Sequence, residues 1–126
     1  PLKALFKIFI PMKMYMRNQK MKHIEKFLNE LFTKRDEFAI QYLSKVFLHF
    51  EMDFTPVPVI SNKEAQSITT PVTLIGAKKD LMFPGEKMLK RAKKIFPSLK
   101  ETVLLKDSKH VQNDADNLKI EQLILK

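Results

Sequence analysis

Asp80 and His110 are the residues of this chain best placed to do chemistry. Asp80 closes the stretch Pro71-Val72-Thr73-Leu74-Ile75-Gly76-Ala77-Lys78-Lys79-Asp80, and His110 follows Leu104-Leu105-Lys106-Asp107-Ser108-Lys109. Each comes just after a short apolar, β-branched run of the kind that forms a buried parallel strand. Open α/β sheets place their reacting groups beyond the carboxyl ends of such strands. An acid after one strand and an imidazole after the next suit general-base chemistry. The carboxylate accepts from Nδ1–H and fixes the tautomer, and Nε2 is left to take a proton from a hydroxyl nucleophile. Asp80 is assigned as the orienting acid and His110 as the base. A serine nucleophile on a G-x-S-x-G turn is absent from the sequence. The bland alternative is a turn-capping aspartate beside Lys79 and a solvated loop histidine.

The elements that would position the pair follow from spacing. Residues 72–76 read as a strand introduced by Pro71. Residues 85–96 read as a helix with Met88, Leu89, Ala92, Ile95 and Phe96 inward and Pro97 stopping it. Residues 102–105 form a second strand. A last helix is capped by Asp114 or Asp116, with Leu118, Leu123 and Ile124 on its apolar side. Strand, helix, strand, helix implies a parallel β-α-β-α unit with a right-handed crossover, hence the α/β class.

Composition changes at Phe54-Thr55-Pro56-Val57-Pro58, and everything before it reads as helix. A first helix covers part of residues 2–15 and is ended or kinked by Pro11. A second spans about residues 18–32, where Met21, Ile24, Phe27, Leu28, Leu31 and Phe32 make one stripe. Phe38, Ala39, Tyr42, Leu43, Val46, Phe47 and Phe50 make the stripe of a third, with Thr33 and Asp36 offering a cap at the junction. The expected organisation is a helical region at 1–54, a proline-stiffened linker at 55–70 with a turn of helix at 62–66, and the sheet region at 71–126.

The composition narrows the function classes. With 126 residues, 44% apolar residues, ten Phe and two Tyr, the chain can build a core, which excludes a disordered class. The net charge of +9 comes from basic residues of which all but three are Lys, scattered at helical spacing. They read as solvated faces, whereas a nucleic-acid site would draw on arginine for phosphate and base edges. Nucleic acid is therefore not an expected partner. The absence of Cys excludes disulfides and thiolate metal sites and fits a reducing, cytoplasmic setting. The apolar N-terminal stretch is interrupted by Lys3 and Lys7 and is too short to span a bilayer, so neither a signal peptide nor a transmembrane segment is expected. His23 and His49 carry no metal-ligand spacing, and no cofactor is expected. Ser108 reads as a turn serine. Met12, Met14, Met16 and Met21 read as core or interface packing rather than as a pliable substrate tunnel.

From residue 54 onward the chain resembles the C-terminal part of the α/β-hydrolases, a family of serine esterases, lipases and peptidases. The resemblance rests on Gly76, Asp80 and Phe83-Pro84 after the first strand, on Lys94-Ile95-Phe96-Pro97-Ser98 at the end of the next helix, and on His110 thirty positions after the acid. The family often has glycine before this histidine, where this chain has Lys109. In that family a helical cap is often inserted ahead of the last two strands, and residues 1–53 look like such a cap. The resemblance implies a partial α/β-hydrolase fold, a helical cap followed by a β-α-β-α unit. It implies Asp80 and His110 as triad members, a small acyl or ester substrate, and a missing N-terminal half that carries the serine. It also implies self-association through the sheet edge that this half would cover. The rival class is a non-catalytic protein whose basic amphipathic helical surface binds lipid or a protein partner.

Overall fold

A computed structural model describes residues 2–51, 53, 55 and 57–125. Phe54 and Pro56 of the expected boundary lie outside the described residues. The chain begins as one run of helical segments: α1 (Leu2–Ala4), a π-helical segment Leu5–Phe9, and α2 (Ile10–Asn18). Pro11, expected to end or kink this helix, does not end it. It occupies the second residue of α2, just after the π-helical segment, in which the Ile10 N–H reaches back to Leu5 O. The wider turn accommodates the pyrrolidine ring and the register it disturbs. The helix stops instead at Gln19, whose left-handed φ of 56° turns the chain while its N–H closes on Tyr15 O.

Helices α3 (Met21–Leu31) and α4 (Glu37–His49) pack onto this segment around Ile8, Met12, Tyr15, Ile24, Phe27, Leu28, Ile40 and Phe47. Phe27 and Phe47 meet edge to face at 5.3 Å. The Tyr15 hydroxyl donates to the Ser44 carbonyl at 3.0 Å, so its polar end is satisfied inside the core. Asp36 caps α4, accepting from Ala39 N–H at 2.9 Å, whereas Thr33 has another use. The buried stripe of α4 is Ile40, Ser44 and Phe47. Phe38, Tyr42 and Phe50, expected inward, are exposed, with Phe38 retaining 77% of its surface. The α4 face turned to the core is the one whose small Ser44 lets Tyr15 reach the backbone, and Phe38 stacks on Tyr42 outside it.

After α5 (Asn62–Ser67), closed by a Ser61–Glu64 capping box, come β1 (Val72–Ala77), α6 (Gly85–Ile95), β2 (Leu99–Leu105) and α7 (Asp114–Ile124). The two strands pair in parallel, with Gly76 opposite Leu104 and Ala77 opposite Leu105. The α/β class is therefore observed, with a two-stranded parallel sheet among the described residues. β2 starts three residues earlier than expected, next to Ser98, whose carbonyl takes the Val72 N–H. The cap of α7 is Asn113, which accepts from Asp116 N–H at 2.8 Å, and not Asp114 or Asp116. Leu118 and Ile124 of the expected apolar side are exposed, and the buried residue of α7 is Asp116. No described helix is long and apolar enough to cross a membrane.

Both glycines of the chain serve one contact, the approach of α6 to β1. A Cβ on Gly76 would lie 2.9 Å from Gly85 Cα, and one on Gly85 would lie 2.6 Å from Ala77 O. Backbone-to-backbone packing of this kind has no room for a side chain. It sets the start of α6 against the end of β1 and so fixes the span of the loop that carries Asp80.

Candidate functional site

Beyond the carboxyl ends of β1 and β2 the two loops remain zipped together. Lys78 N–H donates to Leu105 O at 2.9 Å and Lys79 N–H to Ser108 O at 3.0 Å. Asp80 follows, with only 8% of its surface exposed. Its Oδ1 accepts from the N–H groups of Met82 and Phe83 at 2.7 and 3.0 Å, which folds the turn into Pro84 and α6. Its Oδ2 lies 2.9 Å from His110 Nδ1. One carboxylate thus both shapes its own turn and holds the imidazole, so the turn-capping alternative and the acid–base geometry coexist in the same side chain.

Three contacts define the surroundings of His110. The Phe83 ring lies 5.7 Å from the imidazole at 30°, covering part of one face. The His110 carbonyl accepts from the Gln112 side chain at 3.0 Å. The Lys109 ammonium, next in sequence to the imidazole, is engaged by the Asn29 carbonyl near the end of α3. The His110 side chain keeps 36% of its surface open. With Nδ1 turned to Asp80, Nε2 is the nitrogen left to exchange a proton with an outside group.

Ser108 is fully buried. Its hydroxyl donates to Asp116 Oδ2 at 2.7 Å, and Lys119 donates to the other oxygen at 2.6 Å. The bonds from Lys119 and Ser108 hold the Asp116 carboxyl below the ordinary aspartate range, against the opposing effect of burial. Ser108 is a structural tie between the His110 loop and α7, with no access to a substrate. His23 is not near the pair; partial burial and then Lys22, Lys20 and Lys26 hold its imidazole below the ordinary histidine value. His49 is exposed at the end of α4. No group of His, Asp and Glu arranged to hold a metal occurs among the described residues.

Sequence reasoning gave Thr33 only a capping role and missed its tie to the His110 loop. Its hydroxyl accepts from Lys109 N–H at 2.8 Å and donates to Val111 O at 2.7 Å, across 76 and 78 positions of sequence. A threonine after a helix carries no local sign of so distant a partner. Comparison with known proteins adds no relative: no protein-family model, curated protein or solved structure matches the chain.

Proposed function

We propose that this chain supplies the acid and base of a serine hydrolase of the α/β-hydrolase kind, with the nucleophilic serine contributed by sequence outside it. The observation that carries the reading is the 2.9 Å contact between Asp80 and His110, two residues in the loops that follow the carboxyl ends of adjacent parallel strands. In this reading His110 Nε2 takes the serine proton as the hydroxyl attacks an acyl carbon, then returns it to the leaving group. Asp80 holds the tautomer and stabilises the imidazolium formed between those steps. Residues 1–53 act as a helical cap over the acyl site. A cleft of about 360 Å³ between Leu2, Lys3, Phe6, Lys7 and Leu81, beside the Asp80 turn, supports an apolar acyl group with a polar rim. The cysteine-free sequence supports a cytoplasmic setting.

A fluorophosphonate probe tests the proposal. The 126-residue chain is expected to stay unlabelled, and the gene product extended to include an upstream G-x-S-x-G is expected to label at that serine. His110→Gln should abolish labelling of the extended protein. Labelling of a serine within the present chain, or labelling of the extended protein indifferent to His110→Gln, would contradict it. The exposure of Leu2, Leu5 and Phe6 beside Lys3 and Lys7 favours a second reading, a lipid-binding surface. Sedimentation with anionic vesicles, abolished by Lys3→Glu/Lys7→Glu, would support that alternative.

A further inference from the structure

We propose that Thr33 is a positioning residue for His110, a link that makes the geometry of the Asp80–His110 pair depend on the helical region. The proposal rests on reading that pair as an acid and base. The observation is how completely one short segment brackets the histidine. Thr33 Oγ1 takes the N–H of Lys109 and donates to the carbonyl of Val111, so one hydroxyl holds the residues on both sides of His110. Thr33 N–H donates to the same Val111 carbonyl at 3.0 Å, and Val111 N–H donates to Leu31 O at 2.9 Å. Phe32 and Val111 form a parallel bridge. The Lys109 ammonium extends the tie to Asn29 O.

The two kinds of bond do different things. The backbone bonds join Leu31 and Thr33 to Val111 and hold the helical region against the loop whichever side chain stands at 33. The hydroxyl alone reaches Lys109, the residue whose backbone sets where the His110 Cα begins. Without the hydroxyl, the Lys109 N–H loses its acceptor, and the backbone next to the imidazole on that side is held only through Ser108 and the flexible Lys109 side chain. A half-buried amide left unpartnered is driven to seek water, and the imidazole turns away from Asp80 as the loop relaxes. A shift of the helical segment 31–33 is therefore transmitted to the base, as a substrate-responsive cap would require.

The test uses the 126-residue chain with the isosteric variant Thr33→Val and the conservative variant Thr33→Ser. Two signals are read by NMR: amide exchange at Lys109 and Val111, and the downfield Nδ1–H resonance of ¹⁵N-labelled His110, identified by its loss in Asp80→Asn. Thr33→Val is expected to speed exchange at Lys109 by about tenfold, with Val111 nearly unchanged, and to broaden or remove the imidazole signal. Thr33→Ser is expected to keep both signals. Equal loss of protection at Lys109 and Val111 would make Thr33 a mere structural residue and overturn the proposal. So would an imidazole signal untouched by Thr33→Val, or one lost in Thr33→Ser. A parent protein with no such resonance would overturn the acid–base pair as well, whereas a parent signal insensitive to Thr33→Val sinks only the role of Thr33.

Discussion

Alanine at Gly85 would drive a Cβ into the backbone of β1. That atom would sit 2.6 Å from Ala77 O, 2.8 Å from Ala77 N and 2.9 Å from Ala77 C, where ordinary contact begins at 3.4 Å. No flexible side chain can swing aside, so the start of α6 must retreat by about 0.8 Å, the difference between 3.4 and 2.6 Å. Overpacking of this kind costs about 1–3 kcal/mol. Against it stands the better helix propensity of Ala, worth at most about 1 kcal/mol and less in a first helical turn. The net expectation is a loss of about 1–2 kcal/mol, read in urea as a lower midpoint with an unchanged slope. The retreat also stretches the loop from Asp80 to Pro84, so the downfield His110 signal should weaken in parallel. An unchanged or higher midpoint for Gly85→Ala would refute the claim that bare backbone contact sets the spacing of β1 and α6.

Two further outcomes follow from the same structure. Asp116 titrates below its ordinary value because Lys119 and Ser108 favour its ionised form. Its contribution to stability is therefore complete above the unfolded carboxylate range, about pH 4 and higher, and is lost as pH falls through the lower folded value; Asp116→Asn should flatten that acid limb of a stability–pH curve, and an identical limb in the variant would contradict the assignment. The edge of β1 left unpaired among the described residues, with the exposed Leu118 and Ile124 of α7 and Leu125 just after it, should make the purified chain self-associate; light scattering that shows a stable monomer at high concentration, with cooperative unfolding, would mean that the segment closes its own core.

The sheet region was legible because its signals are local. Pro71 ahead of a β-branched run, Pro97 after an amphipathic helix and a second apolar run define β1, α6 and β2 without tertiary help. The placement of Asp80 and His110 then follows from parallel pairing. The helical region was legible in outline, and the stripe of α3 faces the core at Ile24, Phe27 and Leu28 as expected, whereas α4 was wrong in facing at Phe38, Tyr42 and Phe50. The apolar spacing of α4 permits more than one buried face, and the choice was made by Tyr15 reaching over Ser44, a contact 29 positions away. Pro11 misled because its usual effect assumes α-helical register, which the π-helical segment before it relaxes. Asn113 was passed over as the cap of α7 because the aspartates that follow it fit the same rule. Asp116 instead goes inward to Ser108, a partner that spacing does not reveal.

The most direct test of the central claim is the turnover of a short p-nitrophenyl ester by the protein extended to carry a G-x-S-x-G serine, measured for the parent and for Asp80→Asn. Asparagine can still accept from the Met82 and Phe83 amides, so the turn is retained while the acceptor for His110 Nδ1–H is lost. The account predicts that kcat falls by about 10⁴ while KM changes little. A variant whose kcat stays within about threefold of the parent would contradict it, because an imidazole held in its working tautomer by Asp80 cannot lose that carboxylate so cheaply.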